Sequence, residues 1–159
     1  APKGVVIPHG ALHNFIAACQ EAVQYRADDR VLQFASLSFD VAAEEIFLSL
    51  TVGATLVLRT DEMLGATSAF WRQCREFEIS VLELPTAYWR ELAHGFALSS
   101  HAGDSLPPSL RLVIVGGEKA LPEPVAAAYG AAKRPAVFEG EDAQKELAAA
   151  EWLLSEPQD

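Results

Sequence analysis

The chain has 159 residues, of which 50% are hydrophobic and 21% charged, a composition typical of one globular domain with a packed core. Its formal net charge is −10, so it would repel both a nucleic-acid backbone and an anionic membrane surface. No apolar stretch approaches the roughly 20 residues that a transmembrane helix requires. We therefore expect neither a nucleic-acid partner nor a membrane-embedded segment.

The N-terminal third alternates between strand and helix patterns. Gly4–Ile7 is an apolar run that ends in a Pro-His-Gly turn, which predicts a buried strand. A helix is predicted over 12–25, where apolar residues recur every three or four positions. A second strand is predicted over 31–35, and Asp40 then stands at the N-cap position of a helix over 41–50.

The alternation continues to about residue 115. Further strands are predicted over 54–58, 79–84 and 110–115, further helices over 67–77 and from Pro85–Thr86 onward, and a loop over 94–108. Strands separated by helices of about ten residues favour a parallel sheet. The predicted fold class is α/β, with alternating strands and helices forming part of a mostly parallel sheet covered by helices on both faces.

The composition changes after Pro124. Residues 125–159 are alanine-rich and contain three basic and seven acidic residues, a local charge of 3 − 7 = −4. One amphipathic helix is predicted there, over Glu141–Ser155. We therefore divide the chain into a domain over 1–124 and a divergent acidic tail over 125–159, which is either a frameshift or truncation product or a segment that docks a partner.

Other features suggest the cellular setting. Cys19 and Cys74 form no CxxC pair and stand among apolar residues, so we expect both to be reduced core residues of a cytoplasmic protein. The first residues contain neither an initiator Met nor a signal-peptide pattern, and we expect the chain to be cut from a longer protein. His9 and His13 are four residues apart, but no third ligand at a known spacing accompanies them, so no metal site is predicted.

Three short motifs could carry chemistry. Lys3 and Gly4 could offer an ammonium group and open backbone N–H groups to a phosphate, although a lysine at this place is ordinarily only solvated. Asp40 lies where α/β sheets bind ligands and could pair with a substrate ammonium group, or it could only cap its helix. Gly116 and Gly117 would let a ligand approach the backbone closely, or they form a simple tight turn.

In this order along the chain, four motifs resemble the adenylation domain of nonribosomal peptide synthetases. They are Pro2-Lys3-Gly4-Val5 with His9 and Asn14, Phe39-Asp40 with Glu45-Ile46-Phe47, Leu84-Pro85-Thr86, and Val115-Gly116-Gly117-Glu118. The resemblance covers residues 1–124. The wider superfamily of adenylate-forming (AMP-binding) enzymes also includes acyl-CoA and aryl-CoA ligases.

The resemblance implies an ATP-dependent ligase reaction, in which an amino-acid carboxylate attacks the α-phosphate of ATP. Pyrophosphate leaves, and the aminoacyl group of the resulting aminoacyl-AMP passes to the phosphopantetheine thiol of a peptidyl carrier protein, with condensation domains as further partners. The resemblance assigns Lys3 and Gly4 to phosphate binding and Asp40 to the substrate α-amino group. It places Val41, Glu44, Ala87, Ile114, Gly116 and Gly117 in the substrate pocket. Glu44 would favour a basic or hydrogen-bonding substrate if it points inward, but it could equally point to solvent.

Other parts of the family pattern are missing from the sequence. The Tyr-Gly-Pro-Thr-Glu segment that contacts adenine and holds Mg²⁺ is not recognisable, because Tyr129-Gly130 shares only its first two letters. The ribose-binding aspartate and the C-terminal subdomain with its catalytic lysine are also not recognisable. We therefore assign no catalytic residue, expect the isolated chain to be inactive and to bind no cofactor tightly, and expect self-association through uncovered strand edges.

Two alternative functions stay open. The chain could be a fragment of an acyl-CoA or aryl-CoA ligase, although Asp40 argues against that. It could also be a non-catalytic interaction module that keeps the fold, with the acidic tail as its docking element.

Overall fold

The computed structural model describes residues 4–98, 106–116 and 136–138, which form a five-stranded parallel sheet with flanking helices. The strands are β1 (Arg30–Gln33), β2 (Thr55–Leu58), β3 (Val81–Pro85), β4 (Leu112–Gly116) and β5 (Ala136–Phe138), and their order across the sheet is β2-β1-β3-β4-β5. The helices are α1 (His9–Val23), α2 (Val41–Thr51), α3 (Thr67–Glu76) and α4 (Thr86–Leu98), with a short 3₁₀ helix at Asp61–Leu64.

Both faces of the sheet are covered, as the sequence predicts. Successive strand residues point to opposite faces, so Leu32 and Leu82 pack in one core with α3 and α4. Val31 and Val81 pack on the opposite face in a second core with α1 and α2. The predicted α/β class with helices on both sides of a parallel sheet is confirmed.

Aromatic side chains fill much of the core beneath α3 and α4. The rings of Phe34 and Tyr88 lie 4.8 Å apart between centroids, and Phe70 meets Trp71 edge-on at 5.1 Å. The Tyr88 hydroxyl donates a 2.8 Å hydrogen bond to the carbonyl of Met63, which ties α4 to the 3₁₀ helix. This core buries the apolar side chains on the inner faces of α3 and α4.

The edge at which the strands begin, here called the amino edge, is closed by a polar cluster. Asp29, Ser80 and Arg111 each directly precede a strand. Asp29 is only 2% exposed and accepts hydrogen bonds from Ser80 Oγ at 2.8 Å, from Arg111 Nε at 2.7 Å and from the Arg26 backbone N–H at 2.7 Å. This cluster therefore locks together the starts of β1, β3 and β4.

The prediction of a buried strand over Gly4–Ile7 is wrong. The segment lies outside the sheet, and Val6 is 94% exposed. A strand needs a neighbour for its backbone hydrogen bonds, and no strand among the described ranges pairs with this run. The predicted loop over 94–108 is also partly wrong, because α4 continues to Leu98.

Two elements were not predicted, and others cannot be compared. The 3₁₀ helix and β5 are additions to the expected pattern. The predicted helix over Glu141–Ser155 and the boundary at residue 124 lie outside the described residues. Cys74 is buried in the core as expected, and Cys19 is half-buried on α1. None of the helices in the described part of the chain combines the length and apolar character needed to cross a bilayer.

Candidate functional site

The topology selects one place on the sheet for ligand binding. The strand order 2-1-3-4-5 reverses direction between β1 and β3, which lie side by side at the centre. The chain leaves β1 toward α2 on one face and leaves β3 toward α4 on the other. In open α/β sheets, ligands bind outside the carboxyl ends of the strands at such a reversal. The crevice is therefore expected where the β1–α2 loop and the start of α4 meet, at what we call the carboxyl edge.

The β1–α2 loop is held by one buried carboxylate. Glu45 on α2 has no exposed surface, and its Oε1 accepts hydrogen bonds from the backbone N–H groups of Phe34 and Ala35, both at 3.0 Å. Its Oε2 accepts from the Gln33 side-chain amide at 2.9 Å and from Ala35 N–H at 3.2 Å. Burial raises the pKa of Glu45 above 4.5, and the hydrogen bonds from Ala35 and Phe34 oppose this rise.

Asp40 lies at the far end of the same loop. Its Oδ1 accepts a 3.0 Å hydrogen bond from the Val41 backbone N–H, so the predicted N-cap of α2 is confirmed. The Asp40 side chain is exposed at the carboxyl edge of the sheet. A carboxylate in this place can meet a cationic ligand.

Polar side chains are buried on the α2 face near this edge. Gln33 and Glu83 each lie two residues beyond the paired Val31 and Val81, so they share that face on neighbouring strands. The valines pack in the apolar core, whereas Gln33 and Glu83 are buried polar groups. Burying polar groups costs free energy unless they are hydrogen-bonded, and the Gln33 side-chain amide meets this requirement by donating to Glu45.

The other face of the same edge is aromatic. The guanidinium carbon of Arg59 lies 5.4 Å from the centre of the Phe34 ring, within cation–π range. Thr86, the first residue of α4, donates a 3.0 Å hydrogen bond from its hydroxyl to the Gly116 carbonyl. This bond fixes the end of β4 against the start of α4.

The structure places five of the six predicted pocket residues on α2, α4 and β4. Val41 and Ala87 are exposed in the first turns of α2 and α4, and Gly116 is half-buried at the end of β4. Glu44 is 4% exposed, so its side chain does not point freely to solvent. Ile114 is fully buried in the core beneath α1 and α2.

Of the two residues assigned to phosphate binding, Gly4 lies within the described part of the chain and Lys3 does not. Gly4 is exposed, with open space around its Cα, while Lys3 and Gly117 lie outside the described residues. Within the described ranges no three His, Cys, Asp or Glu side chains are grouped to hold a metal ion. The described residues therefore provide no metal site of three protein ligands, whereas a Mg²⁺ ion that enters with nucleotide phosphates needs only one or two carboxylates.

The sequence does not predict the burial of Gln33, Glu45 and Glu83 at this edge. Glu45 belongs to one of the four motifs, but nothing in the helix pattern shows which carboxylate turns toward the strand. Glu83 carries a detectable signal, because an acid in the middle of the apolar strand Val81–Pro85 is rarely buried unless it is paired.

Comparison with known proteins identifies the family of this chain. The family model described as AMP-binding enzyme matches residues 1–140. The chain is 50% identical over 124 residues to an isonitrile lipopeptide synthase from Streptomyces coeruleorubidus, covering 78% of this chain and 8% of that protein. It is 33% identical over 123 residues to a dimodular nonribosomal peptide synthase from Bacillus subtilis, covering 76% of this chain and 5% of that protein.

The fold is also found in a solved structure. The nonribosomal peptide synthetase FmoA3 matches with a TM-score of 0.74 and 21% identity, over 87% of this chain and 15% of that one. The present chain thus spans under a tenth of the length of the two curated relatives described above. The resemblance read from four short motifs is confirmed by the family match over most of the sequence, and the chain belongs to the AMP-binding enzyme family.

Proposed function

We propose that this chain forms part of the large subdomain of an amino-acid-activating adenylation domain in a nonribosomal peptide synthetase. The observation that carries the proposal is Asp40, an exposed carboxylate at the start of α2 beside the reversal point of the sheet. An amino acid presents an ammonium group next to the carboxylate that is to be activated. A hydrogen bond between such an ammonium group and Asp40 contributes about 1.5–3 kcal/mol.

In this proposal the chain's own residues bind and orient the amino acid. Asp40 holds the α-ammonium group, and the pocket for the substrate side chain is formed by Val41, Glu44, Ala87, Ile114, Gly116 and Gly117. Glu44 is assigned to that pocket, where its carboxylate would favour a basic or hydrogen-bonding substrate side chain. Its burial supports this assignment over a solvent-facing one.

ATP is the proposed co-substrate, and Lys3 with Gly4 is proposed to contact its phosphates. When bound, ATP supplies the α-phosphate that the amino-acid carboxylate attacks. Magnesium would be held by parts of the enzyme other than the described residues. The activated aminoacyl group is then proposed to pass to the phosphopantetheine thiol of a peptidyl carrier protein in a cytoplasmic synthetase that also contains condensation domains.

The test is amino-acid-dependent exchange of pyrophosphate into ATP. We expect no exchange by the 159-residue chain alone, and amino-acid-dependent exchange by an adenylation enzyme that contains this chain in frame. Clear exchange by the isolated chain would contradict the expected inactivity.

The role of Asp40 is tested with Asp40→Asn in the larger enzyme. Asparagine caps helices about as well as aspartate, so this variant removes the charge and keeps the cap. We expect exchange with amino acids to fall strongly, while Asp28→Asn, at an exposed turn, leaves it unchanged. Activation of a simple carboxylic acid that is indifferent to Asp40→Asn would instead favour the CoA-ligase alternative.

We also propose that the isolated chain self-associates. Val5, Val6 and Ile7 are exposed in an extended segment, and Leu58 is exposed on the edge strand β2. Exposed apolar side chains next to an open strand edge favour intermolecular pairing. Light scattering over a range of concentrations should show a rising mean mass, and Leu58→Lys should reduce it. A monomer at all concentrations would refute this part.

A further inference from the structure

Glu45 is the most completely buried carboxylate at the carboxyl edge, and its two oxygens accept hydrogen bonds from the end of β1 and the start of the loop that follows. We infer that Glu45 is a positioning residue for the amino-acid site: by joining the end of β1 to α2, it fixes the loop that presents Asp40. This inference rests on the proposed function, because it concerns the same ammonium-binding carboxylate.

The hydrogen bonds show how the loop is closed. Glu45 is part of α2, only five residues beyond Asp40, and its carboxylate receives three hydrogen bonds from the backbone N–H groups of Phe34 and Ala35. A single side chain therefore connects the two ends of the segment that contains Asp40. The distance between the strand end and the first turns of the helix is set by the length of one glutamate side chain.

The segment between these ends has few other constraints. Residues 36–40 are all exposed. Inside the loop, the Phe39 N–H donates to the Ser36 carbonyl at 2.9 Å, and in the first turn of α2 the Ala43 N–H donates to the Asp40 carbonyl at 2.8 Å. An exposed loop of this kind has little packing to hold it, so the bonds at its base decide how precisely Asp40 is placed.

The variant Glu45→Gln tests this role with little change in volume. One oxygen remains as an acceptor, but the amide nitrogen that replaces the other presents N–H groups to donors on Gln33 and Ala35. The base of the loop then loses two of its four bonds and gains a donor–donor conflict. Asp29→Asn is the matched control, because Asp29 is also a buried carboxylate with several donors but lies at the opposite edge of the sheet.

The first measurement is steady-state kinetics of pyrophosphate exchange in the adenylation enzyme that contains this chain. For Glu45→Gln we expect KM for the amino acid to rise roughly 10- to 100-fold, the size of effect that a misplacement of about 1 Å produces. KM for ATP should stay within about twofold, since no phosphate contact changes. Asp29→Asn should leave both constants nearly unchanged although it destabilises the fold. Equal changes in both KM values, or the same pattern in both variants, would overturn the inference.

The second measurement is hydrogen exchange on the 159-residue chain, which does not depend on activity. We expect Glu45→Gln to accelerate exchange at the Phe39 and Ala43 amides, which Glu45 does not contact, and to leave the Arg30 and Ser80 amides unchanged. Unchanged protection at Phe39 and Ala43 would overturn the inference on its own. If the unaltered enzyme activates no amino acid, the proposed function fails. The hydrogen-exchange rates still decide whether Glu45 holds the loop.

Discussion

The two edges of the sheet bury carboxylates in opposite ways. At the amino edge, Asp29 is neutralised by Arg111 and held by a hydroxyl and a backbone N–H. At the carboxyl edge, Glu45 is held by backbone N–H groups and the Gln33 amide, and Glu44 and Glu83 are buried in the same region of the chain's fold.

The buried polar groups at the amino edge stabilise the fold. Those at the carboxyl edge lie near the candidate binding site. A buried acid with a matched cation closes an edge and holds strands in place. At the carboxyl edge Glu45 is held by neutral N–H donors, so its burial costs stability, and Asp40 is the exposed acid that a ligand can reach. The predictions below test whether the two edges really differ in this sense.

The largest effect is expected at the amino edge. Replacing Asp29 by Ala leaves Arg111 and the Ser80 hydroxyl without their buried acceptor, so the free energy of unfolding should fall by about 3–5 kcal/mol. The measurement is urea unfolding of the 159-residue chain. The control Asp28→Ala removes an exposed neighbouring acid and should change the free energy by less than about 0.5 kcal/mol. A loss below about 1 kcal/mol for Asp29→Ala would remove the contrast between the edges.

A pair of hydroxyl deletions compares the edges directly. Ser80→Ala removes a hydrogen bond to a buried carboxylate and should cost about 1.5–3 kcal/mol. Thr86→Val removes a bond to the neutral Gly116 carbonyl and should cost only about 0.5–1.5 kcal/mol. Both values come from the same unfolding titration. The reverse ranking would show that the carboxyl edge, and not the amino edge, is the more tightly held.

The pH dependence of stability should have opposite signs at the two edges. Burial acts to raise the pKa of Asp29, but the bonds from Arg111, Arg26 and Ser80 outweigh it and hold the pKa below 3.8. The contribution of Asp29 to the free energy of unfolding is therefore fully present above pH 3.8 and is lost as pH falls through the lower folded-state pKa. The pKa of Glu45 is raised above 4.5, chiefly by burial, so its contribution is fully present below pH 4.5 and declines as pH rises through the folded-state value.

Unfolding titrations of two variants over a range of pH check this sign. The destabilisation caused by Asp29→Asn should shrink as pH falls below 3.8, and that caused by Glu45→Gln should shrink as pH rises above 4.5. Parallel curves for the two variants would contradict the proposed electrostatic difference.

The smallest effect is expected away from both edges. Arg72 and Glu62 form an ion pair on the surface, with more than half of each side chain exposed. Exposed pairs contribute about 0–1 kcal/mol, so Arg72→Ala should change stability by no more than that and should lose even this effect in high salt. A larger change would mean that this exposed ion pair contributes as much to the free energy of unfolding as the amino-edge cluster does.

Much of the fold follows from hydrophobic periodicity. Val31, Val81 and Leu112 pack on one face while their neighbours pack on the other, as runs of apolar residues in a parallel sheet predict. The prediction of a strand over Gly4–Ile7 was wrong because a strand must pair with a neighbouring strand, and the local sequence pattern does not show whether such a neighbour exists. The extra turns of α4 were missed because Gly95, a weak helix former, lies within them.

The candidate site was predictable only in part. Asp40 was found because a cap residue after a buried strand has a local signature. The hydrogen bonds of Glu45 to the end of β1 could not be predicted, because they depend on which way a helical side chain points in three dimensions. Glu44 and Glu45 are adjacent and chemically identical, so the sequence does not distinguish them. The amino-edge cluster joins residues 29, 80 and 111, whose proximity arises only from the order of the strands.

The unequal burial of the two cysteines has a practical consequence. Burial raises the pKa of Cys74 to about 12, so its thiolate is nearly absent at neutral pH and a maleimide reagent should leave it untouched. Cys19 is half-buried on α1, on the side of the sheet that also carries α2. The rate at which a maleimide reagent modifies Cys74 would thus report how often the core beneath α3 and α4 opens.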